Sequence, residues 1–151
     1  MKLSAGILLF RRKDGGVEIL LVHPGGPFWK NKDAGAWSIP KGEFTETEPP
    51  LEAAKREFTE ETGFTCDGPF IELNPLKQKS GKIIYAFATE KDIDAAAISS
   101  NTFQMVWPPK SGILTDFPEA DKAQWFPVNE ALLKINTGQA KFIKELVTKI
   151  S

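Results

Sequence analysis

The chain has 151 residues, 41% hydrophobic and 26% charged, enough for one domain with a real core and inconsistent with a disordered tail. Nineteen bases against twenty acids leave a net charge of −1, which excludes a generally basic protein that coats nucleic acid. The single cysteine, Cys66, excludes an intramolecular disulfide. The apolar run near residue 1 is too short for a secretory core, and nothing approaches the ~20 apolar residues of a membrane span. A cytoplasmic protein in a reducing compartment, with no membrane partner, is expected.

Residues 4–10 read as a buried strand, and Asp14-Gly15-Gly16 as a turn. Residues 17–22 then form the partner strand of a hairpin. Residues 23–36 make a long irregular stretch, more often functional than idle in a compact domain. Residues 37–40 are short and extended, closed by Pro40. Pro49-Pro50 can only open a helix, because proline lacks an N–H and fixes φ. That helix runs over 51–62, with Gly63 where a left-handed cap belongs. Strands are expected at 69–73, 83–89, 103–107 and 124–126, and helices at 128–133 and 139–150. The last has Phe142, Ile143, Leu146, Val147 and Ile150 at helical spacing. This order predicts an α/β fold: a mixed β-sheet with helices on both faces.

Between Gly42 and Phe64 the chain carries seven glutamates against Lys55 and Arg56, a local balance of −5. On a helix, Glu57, Glu60 and Glu61 fall at i, i+3 and i+4 and share one face. Leu51, Ala54 and Phe58 form the neighbouring face and would pack on the sheet. At ~5–6 Å and an effective dielectric of ~20, each carboxylate pair repels by about 3 kcal/mol. In full solvent the repulsion falls below ~1 kcal/mol and the cluster is harmless. Two readings follow: a solvated acidic face, or a cage for hard divalent cations whose binding alone relieves the repulsion.

The surroundings decide between them. Gly42, Glu48, Arg56, Glu57, Phe58, Glu60, Glu61, Gly63 and Phe64 stand at the spacing of the Nudix box, and the segment resembles that motif without exception. A chance match is on the order of 10⁻⁹ per starting position from average residue frequencies. The resemblance implies the Nudix fold, an α/β/α sandwich, as a single domain over residues 1–151. It implies a metal-dependent pyrophosphohydrolase of nucleoside diphosphates linked to a group X. By motif position, Glu57, Glu60, Glu61 and the Lys41 carbonyl would hold Mg²⁺ or Mn²⁺. Arg56 would pair with Glu48 or Glu60 and orient them.

Glu119, six residues before Trp125, resembles a late glutamate of diadenosine tetraphosphate hydrolases and bacterial RNA pyrophosphohydrolases. It is a candidate base and a further metal ligand, with Asp121 as fallback and Glu60 as second choice; the plainer alternative is a surface turn. Lys41 before the box glycine looks like dinucleoside polyphosphate, diphosphoinositol and decapping members, and could reach a phosphate. Phe28, Trp29 and Trp37 flank the long loop and could stack a nucleobase, although a small core under the loop suits Trp37 better. Lys30, Lys32, Lys77, Lys79, Lys82 and Lys110 are loop cations, most of them simply solvated. His23 reads as a polar strand-end residue and Cys66 as an ordinary buried thiol.

The expected substrate is a dinucleoside polyphosphate or related nucleoside polyphosphate. Alternatives are the 5′ end of triphosphate RNA, not favoured, and oxidised nucleoside triphosphates. A Nudix module that senses nucleotides without catalysis is a separate reading, disfavoured because every box glutamate is present.

Overall fold

The computed structural model describes residues 2–151. Strands β1 (Leu3–Lys13) and β2 (Gly16–Pro24) form a hairpin whose two turn residues, Asp14 and Gly15, both have positive φ, the Asp-Gly chemistry of a tight hairpin turn. β3 (Lys41–Phe44) lies antiparallel to the first residues of β1, and β6 (Ile83–Glu90) runs parallel along its other side. β9 (Ala120–Pro127) pairs antiparallel with β2, while β4 (Ile71–Glu72) and β5 (Leu76–Lys77) add to β6. The result is a seven-stranded mixed sheet with β1 near its centre. β7 (Thr102–Val106) and β8 (Leu114–Pro118) make a separate two-stranded hairpin.

Because β1 is buried on both faces, it reads as a near-continuous apolar run rather than an alternating one. Ala5, Ile7 and Leu9 face α1 (Pro50–Thr62), with Ala53, Ala54, Phe58, Phe87 and Cys66 in the same cluster. Leu8 and Phe10 face the opposite side, against Ala131 of α2 (Val128–Lys134) and Phe142, Ile143 and Leu146 of α3 (Ala140–Ile150). The fold is thus the expected α/β/α sandwich. No helix among the described residues is long and apolar enough to cross a membrane.

The differences from expectation lie at the sheet's margins. The extended piece at 37–40 contributes only isolated bridges, Val22 with Ser38 and Trp37 with Ile135, and the strand proper begins at Lys41. β8 was not anticipated, because its residues are exposed or half-buried and lack a steady apolar face. β9 starts four residues before the expected Gln124, through polar Asp121 and Lys122.

Candidate active site

The helix α1 presents the acids. Pro49 and Pro50 start it without a side-chain cap, and Gly63, at φ 79°, ends it with its N–H donating to the Thr59 carbonyl. Glu57 and Glu61 are buried, at 7% and 8% exposure, while Glu60 stands half-exposed between them. Gly42 packs directly under Glu57: a Cβ there would lie 2.0 Å from Glu57 Oε2, so only glycine leaves room for the carboxylate. The Lys41 amide donates to Glu61 Oε2 at 3.0 Å, which ties β3 to the helix.

Arg56 organises the rest. Its Nε and Nη2 donate to both oxygens of Glu48 at 3.0 and 2.9 Å, a bidentate fork. Its Nη1 donates to Glu57 at 2.8 Å and reaches Glu60 at 3.3 Å. These anions, Glu48 first, hold the guanidinium pKa above its ordinary value. Burial is the main cause that raises the Glu57 pKa, with the Glu60 charge second. Burial, again first, pushes the Glu61 carboxyl up to about 8. The expectation that only dications relieve the mutual repulsion is therefore corrected. Arg56 shares the charge of Glu57 and Glu60, and burial disfavours the ionised form of Glu61.

Glu119 reaches the same place from far along the chain. A run of backbone hydrogen bonds carries it there: Asn101 N–H donates to the Glu60 carbonyl at 2.8 Å, Glu119 N–H to the Asn101 carbonyl at 2.8 Å, and Gly25 N–H to the Glu119 carbonyl at 3.0 Å. Helix end, late glutamate and long loop are thus laced together, and the orphan carbonyl of Glu60 is satisfied. Burial first, and then the Glu60 charge, raise the Glu119 pKa. Glu61, Glu119, Lys41 and Trp29 line one cleft of about 250 Å³, with Ser38, Asn136 and Gln139 on its walls. Burial, and then the neighbouring Lys82, lower the Lys41 pKa.

The other sequence candidates divide plainly. Trp29 borders the cleft at 39% exposure, whereas Phe28 does not line it and packs edge-on against Trp107 at 5.7 Å. Trp37 is a core residue, 2% exposed, packed edge-to-face with His23 and Phe126, and its Nε1 donates to Asp33. It offers no face to a nucleobase. Asp121 is committed to His23, whose Nδ1 lies 3.0 Å from it while Nε2 lies 2.7 Å from the Lys32 carbonyl. Asn136 and Gln139 were missed by sequence reasoning. Gln139 is buried, accepts the Ile39 N–H at 3.1 Å and donates to Ser38 Oγ, and no spacing rule flags such a residue.

A Nudix domain model matches residues 1–146. The chain belongs to the Nudix family. A comparison with curated protein sequences finds no match. Among solved structures, the chain is similar to the Nudix domain of Shewanella oneidensis NrtR complexed with ADP ribose, at TM-score 0.69 and 16% identity, covering 99% of this chain and 88% of that one. A C. elegans Ap4A hydrolase binary complex gives 0.66 at 16% identity, with 97% of each chain covered. A MutT/Nudix protein from Listeria innocua gives 0.64 at 23% identity, covering 99% and 93%. At these identities the structural likeness establishes the fold alone. Nudix membership, with the box complete, makes the chain a hydrolase of phosphorus-containing anhydrides.

Nudix proteins generally use divalent metal ions, and the donor set here fits one. It consists of carboxylate oxygens, the hard ligands that Mg²⁺ and Mn²⁺ prefer. Gly42 gives Glu57 space that any side chain would fill. As placed, no three His, Cys, Asp or Glu side chains among the described residues converge on one point. Glu57 leans to Arg56 and Glu61 to the Lys41 amide, so holding an ion requires these side chains to turn.

Proposed function

We propose that the Nudix chain is a Mg²⁺-dependent pyrophosphohydrolase, with Mn²⁺ as an alternative ion, acting on a nucleoside diphosphate linked to X. The favoured substrate is a dinucleoside polyphosphate or another nucleoside polyphosphate. The observation that carries this reading is the convergence in one cleft of Glu61, Glu119 and Lys41, with Trp29 at its edge. The cleft combines acids that suit a cation, a base candidate, a phosphate-facing cation and an aromatic surface. The ADP-ribose and Ap4A relatives support a nucleotide with an anhydride linkage. Seated here, the ion would be held by Glu57, Glu60, Glu61 and the Lys41 carbonyl, with Glu119 as a further ligand. It would neutralise phosphate charge and acidify a water.

The chain's own residues do the remainder. Water attacks phosphorus, the P–O bond of the anhydride breaks, and the leaving phosphate departs with the electron pair. A carboxylate takes the water's proton, and Glu119 is the first candidate because burial and the neighbouring Glu60 raise its basicity. Glu60 is the second candidate. Lys41 draws in the phosphate, Trp29 stacks the base, and Arg56, gripping Glu48, fixes Glu57 and Glu60 in place. Catalysis is then mainly positioning and charge stabilisation.

The test is a panel of diadenosine polyphosphates, nucleotide sugars, nucleoside triphosphates, diphosphoinositols and 5′-triphosphate RNA, with products analysed in ¹⁸O water. The reading expects metal-dependent turnover that is strongest on a nucleoside polyphosphate and collapses in Glu57→Gln. In Glu119→Gln, kcat should fall with KM little changed; an unchanged kcat moves the base to Glu60. No turnover on any member, with nucleotide binding retained, would replace hydrolysis with nucleotide sensing.

A further inference from the structure

A second cavity, about 510 Å³ and so larger than the catalytic cleft, lies between the β5–β6 turn and the turn that joins α2 to α3. Lys77 and Lys79 line it from one side and Lys141 from the other. Among the described residues none of these three lysines has an acidic partner within ion-pair distance, although the chain as a whole is slightly acidic. Lys82 stands just beyond, 3.6 Å from Glu43, in an adjoining hollow that Lys77 also lines. Like charges gathered around a concavity repel mildly in water but focus a positive potential into it.

The cavity is built rather than incidental. Gln78 Nε2 donates to the Gly138 carbonyl at 3.1 Å and clamps the two turns together. Gly138 leaves room for it: a Cβ there would lie 2.3 Å from Gln78 Oε1 and push that side chain aside. Asn136 Oδ1 accepts the Gly138 N–H at 2.9 Å, which leaves its side-chain NH₂ without a protein partner among the described residues. Asn136 lines both this cavity and the catalytic cleft. Gln139, next in the same turn, is anchored beneath the cleft through Ser38 and Ile39. One turn therefore forms the shared wall, and the exposed Asn136 amide on it has no protein acceptor among the described residues.

We propose that this cavity is an anion subsite continuous with the catalytic cleft, which receives a phosphate-rich portion of X while the scissile anhydride sits by the glutamates. The inference rests on the pyrophosphohydrolase reading and sharpens it: X carries further phosphates, rather than being a neutral sugar. Asn136 bridges the two sites, and Lys77, Lys79 and Lys141 meet the distal phosphates as point charges.

Binding can be read without turnover. Calorimetry on the full chain would use inorganic tripolyphosphate for a linear anion and inositol hexakisphosphate for a ring-borne one. Lys79→Gln/Lys141→Gln should weaken binding of at least one probe roughly tenfold. Lys13→Gln/Lys55→Gln, which removes equal charge elsewhere, should leave it unchanged. Which probe responds identifies a phosphate chain or a phosphorylated ring as the source. No binding by the parent chain, or equal losses in both double variants, overturns the subsite. Equal retention of 5′-hydroxyl RNA and tripolyphosphate, lost together in the first variant, reassigns the surface to nucleic acid and also overturns it. If the chain hydrolyses its substrate, that variant should raise KM for diadenosine tetraphosphate but not for ADP-ribose, with kcat held. If it hydrolyses nothing yet the probe arms behave as stated, the subsite stands and the enzymatic reading falls.

Discussion

Gly42 and Glu57 are complementary at the scale of single atoms. The carboxylate occupies the space where any other residue would carry Cβ, 2.0 Å from Oε2. Because the clash meets the free end of a side chain, Gly42→Ala should displace Glu57 and leave the sheet intact. The expected outcome is a far-UV circular dichroism spectrum like the parent's, with apparent Mg²⁺ affinity lowered roughly 10- to 100-fold. Parent-like metal affinity would separate Glu57 from the ion. Cys66 makes a second prediction at this scale. Burial pushes its thiol up to about 11, from an ordinary 9.0. Folding therefore favours the neutral thiol, and the stability it contributes is full below pH 9 and drains away as pH rises from 9 towards 11. At pH 8 the folded chain should resist iodoacetamide, and the chain in guanidinium should take up one equivalent by mass spectrometry. Rapid labelling of the folded protein would contradict the burial argument.

Among elements, the long loop and the late glutamate depend on each other. A Cβ on Gly25 would lie 1.8 Å from the Pro118 carbonyl oxygen, and Gly25 N–H holds the Glu119 carbonyl. This clash is against backbone, which yields less readily than a side chain. Gly25→Ala should cost about 1–3 kcal/mol of stability by overpacking. It should also lower kcat by up to roughly 10²-fold by moving Glu119, measured by urea denaturation and steady-state kinetics. A stability loss with kcat intact would uncouple the loop from the base. The same lacing explains what the sequence made legible. The trio on α1 was readable because helical spacing alone puts Glu57, Glu60 and Glu61 on one face, and the buried strands β1 and β2 because apolar runs need no alternation. Glu119 was reachable only through its distance from Trp125, since its place is set by hydrogen bonds to Asn101 and Gly25 that no local pattern encodes. Asn136 and Gln139 were invisible for a similar reason: a turn becomes a wall only when Gln78, some sixty residues earlier, closes on Gly138. Trp37 had composition in its favour but not position, because β2, α2 and β9 enclose it.

Over the whole molecule, the sheet serves as a rigid base whose two cores are complete without the site. Ala53, Ala54 and Phe58, with no exposure, hold α1 on the sheet, and among the acids Glu61 adds its contact with the Lys41 amide. The acids also bring an electrostatic cost: buried carboxyls whose ionisation the fold resists, offset in part by Arg56. A dication that binds only the folded chain should repay this cost and stabilise the whole cooperative unit. By mass action the gain is about 2.7 kcal/mol at a metal concentration one hundred times Kd. For a domain of this size that corresponds to a rise in Tm of roughly 5–11 °C. Heating the chelator-treated chain with increasing Mg²⁺ should trace a rising, saturating Tm, and Mn²⁺ should do so as well. In Glu57→Gln the metal-free Tm should equal or exceed the parent's, because a buried charge is gone, while the metal response largely vanishes. The two signs together separate a metal-linked carboxylate from a structural one: a residue that merely supports the helix would lower Tm when replaced and leave the Mg²⁺ response in place. A Tm that stays flat for the parent chain at millimolar Mg²⁺ would mean that Arg56, without an ion, is the compensation these acids receive.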